Sequence, residues 1–425
     1  MGKISLERAL RFADHPPMRI LFVHQNFPGQ FRHVATALAQ RGHEVVGIGV
    51  NQPESALPKV RHVVYRMPLA HSRKIDHPMA GAMRGLQEKI VRGEAAAEAM
   101  ESLRKDGFTP DVVMAHSGWG EALFARDVFP AARQMVYAEF FYGSEQGDTG
   151  FDGEFFKPSP LTRQRIRIRN THLLHSLNAC DQALTATQFQ KSQHPAWAQD
   201  RMQVIHEGID TGRFRPDADA SVHLDAPGLT FRPGDEVVTF VSRHLEPYRG
   251  YHIFMRALPL LQKLRPNAHV LLVGADGSGY SINPPPGQTW REVFLDEVRT
   301  KLDMSRIHFA GRLPHGVLTR LMKVSAVHVY LTYPFVLSWS LLEAMSIGCL
   351  VVASDTAPVR EVIEHERNGL LTDFFDTEAL AHRVADALAN GKSLEPLRAA
   401  ARETIVRRYD LASKCLPQQV ALFEG

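Results

Sequence analysis

The run TYPFVLSWSLLEAMSIGCLVVASDTAPVREVI, from Thr332 to Ile363, limits the fold more than any other stretch of this chain. Leu341, Leu342, Ala344 and Met345 lie at helical spacing around Glu343, Gly348 stops that helix, and Cys349 to Ala353 follows as an unbroken apolar strand. A strand without polar alternation is buried on both faces, as in a parallel sheet with helices on either side. A loop then opens a second helix. The helix around Glu343 begins at Ser338, Trp339 and Ser340, whose amides and dipole favour phosphate oxygens. A carboxylate on its first turns can accept both hydroxyls of a ribose. The plainer account makes Glu343 an acid that complements the helix dipole.

The same alternation runs through the rest of the chain. Met18 to Val23 reads as a buried strand, His24 to Gln30 as a loop, Phe31 to Arg41 as a helix and Glu44 to Val50 as the next strand, one βαβ unit. Gly29 stands where the backbone turns sharply or approaches something closely. Asp111 to Ala115 is a further strand that delivers His116 at its C-terminal end, the edge where open α/β sheets bind ligands. An imidazole there can donate a hydrogen bond to a ligand or exchange a proton near neutral pH. A structural histidine is the alternative, and the chain has 21 of them. The loop FFYGSEQGDTGFDGEFF mixes rings and carboxylates, so Tyr142, Asp148 and Asp152 are expected to contact acceptor or sugar, unless the loop is an ordered surface segment with core phenylalanines. Arg163, Arg165, Arg167 and Arg169 form like-charged i,i+4 pairs on a helix, which predicts nearby Asp or Glu partners or, more pointedly, an anionic acceptor or a membrane face.

In the second half, Val237 to Val241 is a strand followed by Arg243 and Arg249, which bracket a turn ahead of a helix. Two guanidiniums at a strand end make a diphosphate clamp through bidentate, charge-assisted bonds. At 425 residues two domains are expected. With 49 basic against 46 acidic residues, nothing in the charge calls for nucleic acid. Three scattered cysteines argue against a disulfide framework or a zinc site and for a reducing compartment, so the expected location is cytoplasmic. Residues 1–17 read as neither signal peptide nor anchor, and no long apolar run follows, which leaves peripheral contact with the inner face of a membrane. Asp217 and Asp219 sit in a linker-like stretch and do not predict a metal. Gly29 stands without a GxGxxG run, which disfavours a nicotinamide enzyme.

The segments HQNFPGQFRHVATALAQRGHEV, DVVMAHSGWGE, FDGEF, HEGID, Gly311-Arg312-Leu313-Pro314 and TYPFVLSWSLLEAM, in this order over Met18 to Ala389, resemble the GT4 glycosyltransferases, and among them a bacterial subgroup. The resemblance implies an α/β chain of GT-B fold, two Rossmann-like doubly wound parallel-sheet domains facing across a cleft. The expected division is an N-terminal extension over 1–17, an acceptor-side domain over 18–210, a linker over 211–230, a nucleotide-sugar domain over 231–395, and a helical tail over 396–425 that crosses back to the first domain. The implied reaction transfers a sugar, with retention, from a nucleotide diphosphate-sugar to a hydroxyl of a glycan, a lipid-linked or a small-molecule acceptor, in the making of cell-surface glycans or related glycoconjugates. It needs no metal or other cofactor.

His116, Arg243 and Arg249 are the implied catalytic residues, and Gly29, Gln30, Gly311, Arg312, Leu313, Ser338, Trp339, Ser340 and Glu343 the donor site. Glu343 matches the second of two family glutamates, and Phe335 stands where the first, a contact to the transferred sugar, belongs. No acid lies from Val329 to Leu342. The sugar contact then falls to His116 and to backbone or side-chain groups of Ser338 to Ser340, with an aromatic floor at Phe335 or Trp339. The family pattern places no carboxylate as nucleophile, so a front-face route is implied in which the leaving phosphate takes the acceptor proton. A non-catalytic nucleotide-sugar-binding subunit and a GT-B epimerase or phosphorylase remain as alternatives.

Overall fold

Uninterrupted apolar strands such as Ile20 to Val23, fully buried, build the first of two parallel sheets. The computed structural model describes residues 16–53, 55–68, 76–143, 147–224, 228–277 and 279–425. It divides into Met1–Gly208 with Leu411–Gly425 as one unit and Ile209–Asp410 as the other. The extension expected over 1–17 lies almost wholly outside the described residues.

The first unit holds β1 (Arg19–Val23), β2 (Glu44–Gly49), β3 (Val60–Val64), β4 (Val112–His116), β5 (Arg133–Tyr137), β6 (Gln182–Thr185) and β7 (Met202–Val204). They pair in parallel in the order β3-β2-β1-β4-β5-β6-β7. Helix Arg32–Gln40 buries Val34, Ala35 and Leu38 against the sheet, and Ala96, Met100 and Leu103 of helix Ala80–Lys105 are buried in a second core cluster with Leu21 and Val23. The final helix, Leu416–Glu424, adds Val420 and Phe423 to the first of these cores. Glu424 is clamped by Arg41 through two bonds of 2.6 and 2.8 Å and by His43 at 3.1 Å. Such a bidentate, charge-assisted pair fixes orientation as well as energy.

The second unit contains a hairpin, β8 (Val222–Leu224) and β9 (Leu229–Phe231), and six strands: β10 (Val237–His244), β11 (His269–Ala275), β12 (Ile307–Gly311), β13 (Val327–Tyr330), β14 (Leu350–Ser354) and β15 (Leu370–Thr372). The six pair in parallel in the order β12-β11-β10-β13-β14-β15. Residues 211–230 differ from the linker expected of them. Phe214 is buried in the second unit's core, and Val222 pairs with Phe231. Scattered among Pro, Asp and Ala, these apolar side chains still find surface to bury. The tail differs as well, because Ala401 and Ile405 of helix Glu395–Arg408 belong to the second unit's core, and the chain joins the first unit only from Leu411.

In each sheet the order of winding reverses once, between β1 and β4 in the first and between β10 and β13 in the second. The C-terminal ends of those strands diverge their loops to opposite sides and leave a crevice, the usual ligand position of a doubly wound sheet. Among the described residues no helix is long and apolar enough to cross a membrane.

Candidate active site

The first crevice is built around two imidazoles. His24 follows β1 and His116 ends β4, and their rings meet edge to face at 5.1 Å. Trp119 stacks on His116 at 4.1 Å and meets His24 at 4.9 Å. Gly29 adopts φ +45°, and a Cβ there would lie 2.4 Å from the His24 ring, so only glycine fits beneath this imidazole. Gln30, expected as a donor contact, instead joins a chain of internal bonds. The Asn26 amide donates to His24 Nδ1 at 2.9 Å, which leaves the proton on Nε2 to donate to Gln30 Oε1 at 2.7 Å. Gln30 Nε2 then donates to Glu139 Oε1 at 3.0 Å.

His116 is fixed by the same logic. The Gly118 amide donates to its Nδ1 at 3.0 Å, so Nε2 carries the proton; that buried atom has no hydrogen-bond partner among the described residues and stands 3.8 Å from Glu139 Oε2. Burial holds the His116 pKa well below its usual value, with His24 and Lys89 adding repulsion, so the approach to Glu139 is not an ion pair at neutral pH. Glu139 was not among the residues picked from the sequence. Its one signal there is position, an acid just past the C-terminal end of β5. Beside this crevice Glu121 is buried and accepts from the Tyr65 hydroxyl at 2.8 Å, with Arg92, Lys89 and Arg169 as electrostatic neighbours of the group.

Burial also depresses His24, His172 and His194 to about 4 in this unit, and His328 to about 4 in the other. The unfolded chain therefore binds more protons between the two values, and stability rises with pH across that window. Unfolding measured against pH should show stability fully present above about 6.5 and falling as the pH drops from there toward 4, by at most roughly 3 kcal/mol per histidine. A flat stability profile between those limits would contradict this burial.

The aromatic-acidic loop does not present its side chains as expected. Asp148 and Asp152 are buried, and Asp152 accepts from the Glu154 amide. Tyr142 is locked by two backbone bonds with Asn170, and the Arg169 guanidinium sits 3.5 Å from its ring centre. Of the acids expected beside the arginine run, Asp148 and Glu139 share the surroundings of Tyr142 with Arg169. Arg165 donates to the Pro78 carbonyl at 2.6 Å, while Arg163 and Arg167 line a groove with Phe141 and Leu174 and have no carboxylate partner among the described residues.

The second crevice lies at the ends of β10 and β13. Arg243 is exposed there, as is Arg312 beyond β12, and His244 is held below its usual pKa by burial first and by these two arginines after it. Arg249 departs from the expected clamp. Its guanidinium is buried and donates to Thr332 Oγ1 at 3.1 Å and to the Val336 carbonyl at 2.9 Å, which braces the β10 loop against the β13 loop. The helix end is also less open than expected, because the Ser338 amide donates to the Tyr330 hydroxyl and the Ser340 amide to Ser338 Oγ. Trp339 is exposed. Gly311 takes φ +60° and turns the chain into Arg312 and the half-buried Leu313. Glu343 is buried, and His315 Nε2 reaches its Oε1 at 3.3 Å while Arg213 donates to His315 Nδ1. Phe335 is 1% exposed, packed against Tyr280 at 4.6 Å and Tyr248 at 5.5 Å. It is a core side chain, and the sugar contact read for it lacks an exposed surface.

Two doubly wound units, each with polar side chains gathered at its switch point, define a glycosyltransferase of GT-B fold. The description "Glycosyl transferase family 4 group" matches residues 41–214 and "Glycosyl transferases group 1" matches 226–404, and the chain belongs to the GT4 glycosyltransferases. The D-inositol 3-phosphate glycosyltransferase of Nocardioides sp. is 25% identical over 78% of this chain and 72% of its own length. The GDP-mannose-dependent alpha-(1-6)-phosphatidylinositol monomannoside mannosyltransferase of Mycolicibacterium smegmatis is 29% identical, over 48% of this chain and half of its own length. Among solved structures, sucrose-phosphate synthase from Thermosynechococcus elongatus has a TM-score of 0.72 at 16% identity, covering 96% of this chain and 98% of that one.

Proposed function

We propose that this chain transfers a sugar, with retention, from a nucleoside diphosphate-sugar to an acceptor hydroxyl, without a metal ion or other cofactor. The observation that carries the reading is the buried, unpartnered Nε2–H of His116 at a switch point, because a buried donor without an acceptor costs about 1–3 kcal/mol until a ligand oxygen meets it. Leaving-group charge falls to the exposed Arg243 and Arg312, which act as fixed cations for the diphosphate. Glu343, oriented by His315, suits a ribose diol.

The acceptor in this reading carries an anionic group such as phosphate. Lys89, Arg92 and Arg169 gather beside His116 against the carboxylates Glu88 and Glu121, and the names of the relatives include an inositol phosphate and a phosphatidylinositol glycoside. Nucleotide-sugars screened by thermal shift, followed by assay of nucleoside diphosphate release, test the function. If no UDP-, GDP-, ADP- or dTDP-sugar either stabilises the protein or is turned over, the reading fails. Arg243→Ala should weaken UDP or GDP binding by roughly 1.5–3 kcal/mol, the worth of a hydrogen bond to a charged group. Calorimetric titration with unchanged affinity would remove Arg243 from the donor site.

A further inference from the structure

We propose that the groove beside helix Pro160–Arg169 seats the phosphate end of the acceptor, and that this acceptor is an amphiphile. Its phosphate lies on Arg163 and Arg167, and its apolar chain lies over Phe141, Ile166 and Leu174. The inference rests on the glycosyltransferase reading above and names the acceptor class within it.

The four arginines of this helix fall into two kinds. Arg165 donates to the Pro78 carbonyl at 2.6 Å. The Arg169 guanidinium lies 3.5 Å from the centre of the Tyr142 ring, with Asp148 and Glu139 near that ring as well. Arg163 and Arg167 are exposed, line the same groove one helical turn apart, and have no side-chain hydrogen bond or ion pair among the described residues. Two like charges at i,i+4 weaken a helix unless an anion offsets them. The cations nearer His116 are already offset, since Lys89 has Glu88 and Glu121 as electrostatic neighbours and Arg92 has Glu121. A phosphate on the acceptor therefore gains most at Arg163 and Arg167, whose guanidiniums can each offer two parallel N–H groups to its oxygens.

The wall of the groove is fixed from within. Asn170 accepts from the Tyr142 amide at 3.2 Å and donates to the Tyr142 carbonyl at 2.8 Å, so the chain leaving β5 is tied to the start of helix Thr171–Ala179. Ile166 is buried beneath, and Phe141 and Leu174 are half-buried, with apolar surface left for a ligand. The volume is about 690 Å³, within the range of small-molecule sites. An alkyl chain covering that floor adds apolar burial to the charge contacts. Position joins the groove to the first crevice. Tyr142 is three residues beyond Glu139, at most roughly 10 Å of chain, and Glu139 stands beside His116. One ring with its phosphate can bridge that distance, with the hydroxyl at the crevice and the phosphate in the groove.

Monomeric dihexanoyl phosphatidic acid carries one phosphate and short apolar chains, and calorimetric titration of the full chain with it tests the seat without any donor. It should bind, and dihexanoylglycerol and inorganic phosphate should each bind at least about 10-fold more weakly, because each lacks one half of the contact. The double variant Arg163→Gln, Arg167→Gln should weaken phosphatidic acid by at least about 10-fold, the loss of one charge-assisted hydrogen bond or more. Its melting temperature should equal or exceed that of the wild type, since a like-charged pair is gone. A merely structural pair would do the reverse, with a lower melting temperature and unchanged affinity, and that result overturns the site. Inorganic phosphate bound as tightly as phosphatidic acid would make this a plain anion site and overturn the amphiphile. Binding to vesicles of phosphatidylglycerol in phosphatidylcholine, with none to the monomer, would make it a membrane-facing surface and overturn the seat. If phosphatidic acid binds through the two arginines while no nucleotide-sugar is bound or turned over, the glycosyltransferase reading fails and the acceptor role with it, an outcome distinct from failure of the groove.

Discussion

Phe335→Ala is expected to lower the free energy of unfolding by about 3–5 kcal/mol, the cost of removing a buried aromatic ring and leaving its cavity. The ring is 1% exposed and belongs to an aromatic group with Tyr248, Tyr280 and Tyr333. Arg249 lies 5.8 Å from its centre and bridges the loops after β10 and β13 through Thr332 and Val336, bonds that do not involve the ring, so the loss should fall on stability. Phe335→Leu, which retains most of the volume, should cost less than half as much. Free UDP or GDP should bind both variants normally wherever they are folded. Denaturant unfolding alongside titration decides the matter. A fully stable Phe335→Ala protein with altered choice among sugars would put the ring in the sugar site after all.

That outcome bears on what the sequence could reveal. The buried strands β1, β4 and β14 were legible because Ile20 to Val23, Val112 to Ala115 and Leu350 to Ala353 are unbroken apolar runs, and a chain must bury such runs on both faces. The strands β3 and β15 were not, since Val60 to Val64 is only half-buried at a sheet edge and Leu370 to Thr372 has three residues, too few to carry a period. His116 was legible from its place at the end of a strand. Arg249 was misjudged for a physical reason: a guanidinium near a strand end looks the same in sequence whether it faces a ligand or, as here, two oxygens of a neighbouring loop. Glu139, His24 and His315 were missed because their significance lies in pairings with Gln30, His116 and Glu343, which only the folded chain brings together. Gly29 was singled out correctly as a close approach, with the His24 imidazole as the group it accommodates.

The largest effect on turnover should come from His116→Ala, a fall of about 10²–10³-fold in nucleoside diphosphate release, the range for removing one preorganised hydrogen-bond donor. Affinity for free UDP or GDP should not change, since the donor nucleotide is read to sit on the second unit. The pH profile makes the prediction specific. Burial keeps His116 neutral far below its ordinary value, and only the neutral ring can accept the Gly118 amide at Nδ1 while donating from Nε2. Acidification must therefore drive a proton onto a ring whose second nitrogen already faces an N–H, which is unfavourable until the pH is well below the ordinary histidine value of about 6.5. Turnover by the wild-type protein should accordingly show no inflection from this residue between about pH 6 and 8. An inflection near 6.5 that disappears in His116→Ala would mean that the imidazole works by gaining and losing a proton, and it would remove His116 as a fixed neutral donor.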